Sequence, residues 1–461
     1  MLLTKDKRFY RSLVALAIPM ILQNLITFSV GLADNIMIGH LGDTAVSGVY
    51  LGNQVQVVLQ VAYAGIEATI LLISAQYWGK GDTGSIRRII SIALRFSLGL
   101  GAVLGAVCAI IPKPVLRIFT TDEAVIDKGA EYLSILCFSF VFFCLTQSLI
   151  AAMRSVESAR IGMLVSLASL VIDVALNYIL IFGKLGLPAL GVRGAAIATL
   201  IARVCESAII VWYVRFRDKK LCFRLADMKT VDRTLLRDML RCGAPLLAGQ
   251  LVWGANLAAQ SIILGHFTEA VITGTSLANT LNNLMYVAMN GVAGAVGIII
   301  GKTVGSGDLS RIKEYARTVQ ILLLSLGVTM SLVLWGLRDP FISLYEITDE
   351  SAAYARQFIN VLRVTAIGSC YQAGSLFGIV KSGGDVSFVF KNDTIHVFGI
   401  VIPSAVIAFF LGAEPWIVFA CLKADQILKC FVAVVKIQRY NWMKNLTRDR
   451  VGAGDKKEAV E

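Results

Sequence analysis

Charge is scarce in this chain. Only 16% of its 461 residues are Asp, Glu, Lys or Arg, against about 25% in soluble domains. Histidine is scarcer, at three residues. These shortages, set beside 56% hydrophobic content, exclude a disordered chain and an ordinary soluble enzyme. There is no P-loop, no HExxH and no GxSxG loop. The three histidines are scattered, which argues against a membrane acyltransferase with a clustered catalytic His/Asp or Ser. The nine cysteines include no CxxC pair, and most lie inside apolar runs (Cys108, Cys137, Cys144, Cys370, Cys421, Cys430). Reduced thiols acting as small hydrophobes are expected. No segment between apolar runs is long enough for an ATPase domain, so any transport must be secondary.

What is present is apolar length. Mean hydropathy is +0.72. A crossing helix needs about 20 apolar residues, so this length suits about twelve crossings. Helical runs are expected at 13–38, 46–75, 89–111, 131–152, 161–183, 194–214, 243–264, 271–299, 318–337, 358–380, 393–411 and 416–437. The first run is too long for a signal h-region and reads as a retained helix. An even number of spans puts both termini on one side. That side carries about 31 Lys and Arg, the other about 7, which predicts cytoplasmic termini. The net charge of +12 therefore reflects topology, and no nucleic-acid partner is expected. The basic stretch 215–241 is expected to link a lobe of residues 1–214 to a lobe of 242–440, followed by a cytoplasmic tail, 441–461.

The halves repeat. Pro19 and Gly39-His40 recur 226 residues later as Pro245 and Gly265-His266. Gly79-Lys80-Gly81-Asp82 recurs as Gly305-Ser306-Gly307-Asp308, and Pro114 as Pro340, at the same offset. Arg154-Ser155 recurs as Lys381-Ser382 at an offset of 227, so one residue has been inserted. Six spans per half give both copies one orientation and place the transport pathway between the lobes. The fold class expected is an all-α polytopic membrane protein with twelve transmembrane helices in two six-helix lobes related by duplication.

Several motifs carry a resemblance. The first span reads Ala17-Ile18-Pro19, then Gly31-Leu32-Ala33-Asp34-Asn35-Ile36-Met37-Ile38-Gly39-His40-Leu41-Gly42. The second ends Gln76-Tyr77-Trp78-Gly79-Lys80-Gly81-Asp82, and the fifth ends Asn177-Tyr178-Ile179-Leu180-Ile181-Phe182-Gly183. The sixth begins Leu190-Gly191-Val192-Arg193-Gly194, and Gly383-Gly384-Asp385 follows the tenth. Over roughly residues 8–440 the chain resembles the bacterial MATE family, the multidrug and toxic compound extrusion proteins. The resemblance implies alternating access in the plasma (inner) membrane and export of amphipathic, mostly cationic organic compounds in exchange for H⁺ or Na⁺. A monomer in the lipid bilayer without a cofactor is expected. The alternative is a lipid-linked precursor flippase of the wider superfamily. That would predict a strongly cationic cavity and often fourteen spans.

Charge within a span is expensive, so it marks functional candidates. Asp34 lies near the outer end of span 1, where family members carry a cation-coupling Asp. Asp173 lies mid-span in helix 5, with Asn177 one turn on and on the same face. Asn177 stands about 24 Å above the start of its span, the level of Asp34 in a roughly 30 Å core. Asp34, Asp173 and Asn177 could hold Na⁺, or a carboxyl could carry a proton; Asn177 could also simply bond between helices. Many relatives have Asn at the position of Asp173, so this carboxylate is displaced or additional. The C-terminal lobe lacks the family's acids at Gln250 and near Cys370–Gln372, leaving Gln250, Gln260, Asn279, Asn282 and Asn283 as a neutral polar wall or as packing groups. Glu67 could face a cationic substrate or pair with an Arg. Arg203 and Glu206 are expected to pair, as are Lys423 and Asp425. Lys429 reads as a snorkelling anchor and His396 as a satisfied interfacial residue. Tyr63, Trp253, Met285, Tyr286 and Met289 could offer adaptable surface to flat cations or pack between helices. Pro19 could be a hinge or an entry-turn proline.

Overall fold

The computed structural model describes residues 3–224, 227–228, 232–345 and 347–448. The expected tail from 449 onward, and residues 225–226 and 229–231 of the expected linker, lie outside the described residues. The N-terminal half contains α1 (Lys7–Gly39), α2 (Asp43–Lys80), α3 (Thr83–Ile110), α4 (Pro112–Arg117), α5 (Glu123–Leu136), α6 (Ser139–Ser155), α7 (Ala159–Phe182) and α8 (Val192–Phe216). The C-terminal half contains α9 (Arg233–Gly265), α10 (Glu269–Ser306), α11 (Leu309–Ile342), α12 (Asp349–Gln372), α13 (Val386–His396), α14 (Ile402–Phe410), α15 (Pro415–Lys423) and α16 (Asp425–Gln438). π-helical turns at Ala373–Val380 and Val397–Val401 extend α12 and join α13 to α14.

These pieces make twelve rods. Nine helices among the described residues are long and apolar enough to cross a membrane on their own. A tenth rod is α5 and α6, bent by 52° at Cys137-Phe138. The other two are α12 with its π turn, and α15 with α16, broken at Ala424 between Lys423 and Asp425.

The boundaries differ from expectation where capping decides them. Asp232 accepts from the backbone N–H groups of Thr234 (3.0 Å) and Leu235 (3.3 Å). This cap starts α9 at Arg233, so the latter part of the expected linker is helix. Pro19 is buried and lies well inside α1, which excludes the entry-turn reading. In the N-terminal half the helix breaks at Ile111, ahead of Pro112. Arg338 stands at the equivalent point of the other half, and α11 continues to Ile342 through Pro340. A proline costs a helix one hydrogen bond and a clash, and the N-terminal half carries an extra one.

The single-residue insertion in the repeat also has a place. The offset changes between Pro340 and Lys381, and the π turn Ala373–Val380 lies in that interval. A π turn holds one more residue than the α turn it replaces.

Packing follows the duplication. α1 packs on α10 and α9 packs on α2, the same contact seen from each half, while α2 packs directly on α10. Where α2 and α10 end, the repeated Gly-x-Gly-Asp motif performs three tasks twice. Gly81 (φ 79°) and Gly307 (φ 76°) terminate the helices in the left-handed region. Asp82 and Asp308 cap α3 and α11, accepting from Ser85 N (3.1 Å) and Arg311 N (3.2 Å). A Cβ on Gly79 would collide with the carbonyl of Lys302, and one on Gly305 with the carbonyl of Gln76. Residues 76 and 302 are themselves repeat equivalents, so these contacts flank the pseudo-twofold axis.

Both described chain ends reinforce this closed face. Lys444 N donates to Gly383 O (2.7 Å), Leu446 N to Gln76 Oε1 (2.7 Å), and Arg448 pairs with Asp238 (2.6 Å). Trp442, fully buried, anchors that segment. At the other terminus Thr4 N donates to Thr318 Oγ1 (2.8 Å). Glu157 of the N-terminal half accepts from Lys302 Nζ (2.7 Å) and Trp78 Nε1 (3.1 Å).

Candidate ion and substrate sites

α1 and α7 pack along their length, which brings the three polar residues of the outer level together. Asn177 Nδ2 donates to Asp34 Oδ1 (2.8 Å) and to Asp173 Oδ2 (3.3 Å). Asp173 and Asn177 are 2% and 1% exposed; Asp34 is half-buried. The turn from Asp173 to Asn177 is what aligns both with one point on α1.

Two acceptors in the cluster, Asp173 Oδ1 and Asn177 Oδ1, are buried without a hydrogen-bond partner. Buried polar atoms are normally paired, so this pair of oxygens suits a proton or a cation. The set is two carboxylates and an amide. Among the described residues no group of three or more His, Cys, Asp or Glu could hold a metal ion.

Residues from α5 and α8 complete the surroundings; of these, the sequence points to Arg203 only as the partner of Glu206, and Tyr132 and Thr199 carry no signal in it. Thr199 neighbours both Asp173 and Tyr132. The Tyr132 hydroxyl donates to Asn53 Oδ1 (3.2 Å). Arg203 pairs with Glu206 at 2.8 Å, as its spacing predicted, and its guanidinium lies over the Phe143 ring. It also stands close enough to Asp34 and Asp173 to act on them electrostatically. Its own charge is matched by Glu206, which leaves both carboxylates in surplus.

Glu67 is not a free counter-charge in this arrangement. It accepts from Arg154 Nη1 (2.8 Å), and Arg154 Nη2 donates to Gln23 Oε1 (2.8 Å). Arg154 is only 8% exposed. Glu67→Gln therefore strands a buried guanidinium and should destabilise the protein by about 3 kcal/mol. Thermal unfolding in detergent measures this; a melting temperature equal to the parent's would show that the pair contributes nothing.

The expected substrate-pathway residues divide. Tyr63 (2% exposed) and Met285 (4%) sit inside the cores of their own halves and present no surface. Tyr286 is half-buried beside Met289 and Cys370. Trp253, Asn279 and Asn283 are exposed and Gln250 is half-buried. Asn279 and Asn283, one turn apart, share an exposed face of α10, while Asn282, on its flank, is buried. The expected polar wall is thus split between exposed and buried positions.

Two basic residues depart from expectation. Lys429 does not snorkel; it is 5% exposed and lies between Asp393 (2.9 Å) and Asp425 (3.0 Å). Lys423 turns from Asp425 to Gln260 Oε1 (2.8 Å). Lys381, the repeat equivalent of Arg154, rests over the Phe377 ring; the equivalent of Glu67 is Ala293, so the Arg154–Glu67 pair is not repeated, and the acid of its own half that acts on Lys381 is Asp393. His396 is satisfied at Nδ1 by Asn392 O (2.8 Å).

The MatE family model matches twice, over residues 19–179 and 245–410, with starts 226 residues apart, the offset of the internal repeat. Probable multidrug resistance protein NorM of Thermotoga maritima is 27% identical over 340 residues, covering 73% of this chain and 72% of that protein. Probable multidrug resistance protein YoeA of Bacillus subtilis is 22% identical, covering 86% of each. Crystal structures share the fold. A mutant of the Vibrio cholerae MATE transporter VcmN superposes with a TM-score of 0.86 at 18% identity, over 95% of this chain and 98% of that one. A MATE structure in complex with MaL6 gives 0.85 at 18% identity, over 93% and 95%. With the family model matching both halves and the twelve-rod architecture shared end to end, the chain belongs to the MatE family of membrane transporters.

Proposed function

We propose that this protein is a multidrug exporter that moves amphipathic, mostly cationic organic compounds out of the cell in exchange for H⁺ or Na⁺, by alternating access. The observation that carries the reading is the convergence of Asp34, Asp173 and Asn177, with two orphaned acceptor oxygens. Two carboxylates sharing one amide in a buried place repel each other, and a proton or sodium ion relieves that repulsion. The relatives named multidrug resistance proteins support the substrate class.

In this reading the ion binds Asp34, Asp173 and Asn177 from outside and tightens α1 on α7. A ligand shifts a two-state equilibrium only through unequal affinity for the states. Here the states differ in whether α2 and α10 meet at Gly79 and Gly305. The exposed Trp253, Asn279 and Asn283, with half-buried Gln250 and Tyr286, are assigned to the substrate path. The lobes are residues 1–214 and 242–440, in a bacterial inner membrane, working as a monomer. Efflux by purified protein in liposomes, with ΔpH and ΔNa⁺ imposed separately, tests the reading; no dye movement under either gradient overturns it.

The orientation has its own expected result. Cysteine tags at Gly84 and Asp227 should react with an impermeant reagent only from the cytoplasm, and tags at Thr121 and Asp349 only from outside. The Lys/Arg asymmetry motivates this. Labelling of the Asp227 tag in intact cells would reverse the topology.

A further inference from the structure

A cavity at the terminus-bearing face takes no part in the ion or substrate sites. It measures about 470 Å³ and lies between α1 and the start of α7, bounded by Tyr213 of α8, by Lys220 beyond α8 and by Lys302 of α10. Its wall carries three cations, Arg160, Lys220 and Lys302, and one carboxylate, Glu157. Besides Glu157, the acid that acts on Lys220 is Asp218. The Asp218 carboxylate already accepts from the backbone N–H groups of Lys220 (3.1 Å), Leu221 (2.9 Å) and Cys222 (2.9 Å). With Asp218 counted, three cations face two acids, and one positive charge is left over.

The wall is fixed without any ligand. Glu157 has φ 57°, a left-handed backbone that residues other than glycine seldom adopt. Lys220 Nζ holds this turn by donating to Val156 O and Glu157 O, both at 2.8 Å. Lys302 Nζ and Trp78 Nε1 donate to the Glu157 carboxylate at 2.7 and 3.1 Å. Arg160 differs from the other two cations. It is exposed on the cavity wall and makes no hydrogen bond or ion pair among the described residues. Its planar fork of donors is therefore open to an acceptor of matching geometry, such as a phosphate.

Two apolar tracks leave the cavity. On α1, Ala15 of the wall is followed by exposed Ile18 and Leu22; on α7, Arg160 is followed by exposed Leu164 and Leu167. Steps of three and four residues keep each track on one helix face, and α1 and α7 pack side by side. A basic pocket between helices at one end of a span, continued by apolar surface, matches a phospholipid, whose anion lies at the interface and whose chains lie along the helices. A free phosphate ion would use the pocket and leave the tracks without a role.

We propose that this cavity binds the phosphate of an anionic phospholipid, with Arg160, Lys220 and Lys302 as its cations and the acyl chains along α1 and α7. Arg160 and Lys220 belong to the N-terminal half and Lys302 to the C-terminal half, so one headgroup ties the two halves together. Lys302 also supplies the carbonyl against which Gly79 packs. The lipid therefore binds the closed terminus-bearing face more tightly than an open one, and shifts the equilibrium towards closure. Binding does not depend on which ion or compound is transported.

The test is native mass spectrometry of the full chain released from detergent micelles that hold equal amounts of phosphatidylglycerol and phosphatidylcholine. The parent should retain one phosphatidylglycerol in preference to phosphatidylcholine. Arg160→Ala should lower that preference about fivefold, and so should Lys302→Gln, whose amide can still donate to Glu157. Arg160→Lys should keep most of it. Arg160 has no partner to strand, so Arg160→Ala should melt with the parent in phosphatidylcholine micelles, and it decides the question alone if Lys302→Gln fails to fold. Equal retention of the two lipids by the parent overturns the proposal, as does an unaltered preference in folded Arg160→Ala. Displacement of phosphatidylglycerol by an equal concentration of inorganic phosphate would assign the cavity to a free anion and overturn the lipid.

Discussion

Asp34→Asn should abolish gradient-driven dye efflux from liposomes while the protein remains folded and inserted. The substitution keeps the side chain's size but removes its ionisation and its capacity to carry a proton. Asn177 Nδ2 would lose its shorter, charge-assisted bond, 2.8 Å to Asp34, and keep the 3.3 Å bond to Asp173. Losing one carboxylate of a like-charged pair eases repulsion, so insertion should not suffer. Function should, because the driving ion loses its unequal affinity for the two states. Asp173→Asn should act in the same direction and more mildly, since Asp34 and Asn177 remain together. The C-terminal changes Gln250→Ala and Gln372→Ala should leave ion-driven transport in place. The measurement is dye efflux under imposed ΔpH or ΔNa⁺, with thermal stability followed in parallel. Wild-type rates for Asp34→Asn under both gradients would move the coupling site away from α1 and α7.

A Gly79→Ala, Gly305→Ala double variant should prevent closure of the terminus-bearing face. Each new methyl meets a backbone carbonyl of the opposite half, Lys302 or Gln76, and a helix backbone cannot rotate aside as a side chain can. Overpacking of this kind costs about 1–3 kcal/mol per site, and about 1.4 kcal/mol is a factor of ten in population. Export should fall about tenfold or more, because one of the two alternating states is depleted. Spin labels at Gly84 and Ser310, equivalent positions at the starts of α3 and α11, read the opening directly. Their distance distribution should move to a longer population in the variant. A distribution identical to the parent's would mean that α2 and α10 do not form the gate.

Much of this protein is legible in its sequence because a membrane imposes a simple rule. Backbone groups in lipid must be satisfied internally, so apolar runs of sufficient length become helices. The duplication was readable for a related reason. Gly79 and Gly305 each lie against a backbone, and Gly81 and Gly307 take a positive φ, so the motif could not drift freely in either half. Asp34, Asp173 and Asn177 stand out as costly polar groups, and regular helix geometry puts Asp34 and Asn177 at one depth with Asp173 one turn deeper. Tertiary structure alone decided which charges on different helices meet. Thr199 and Arg203 adjoin the N-terminal site only because α8 packs on α7. Lys429, near the end of a span, had the sequence context of an anchor; packing of α16 near α13 turned it inward, between Asp393 and Asp425. Spacing along one helix fixes only partners three or four residues away. Partners on different helices depend on rotation and depth, which apolar periodicity leaves free when a helix is hydrophobic on every side.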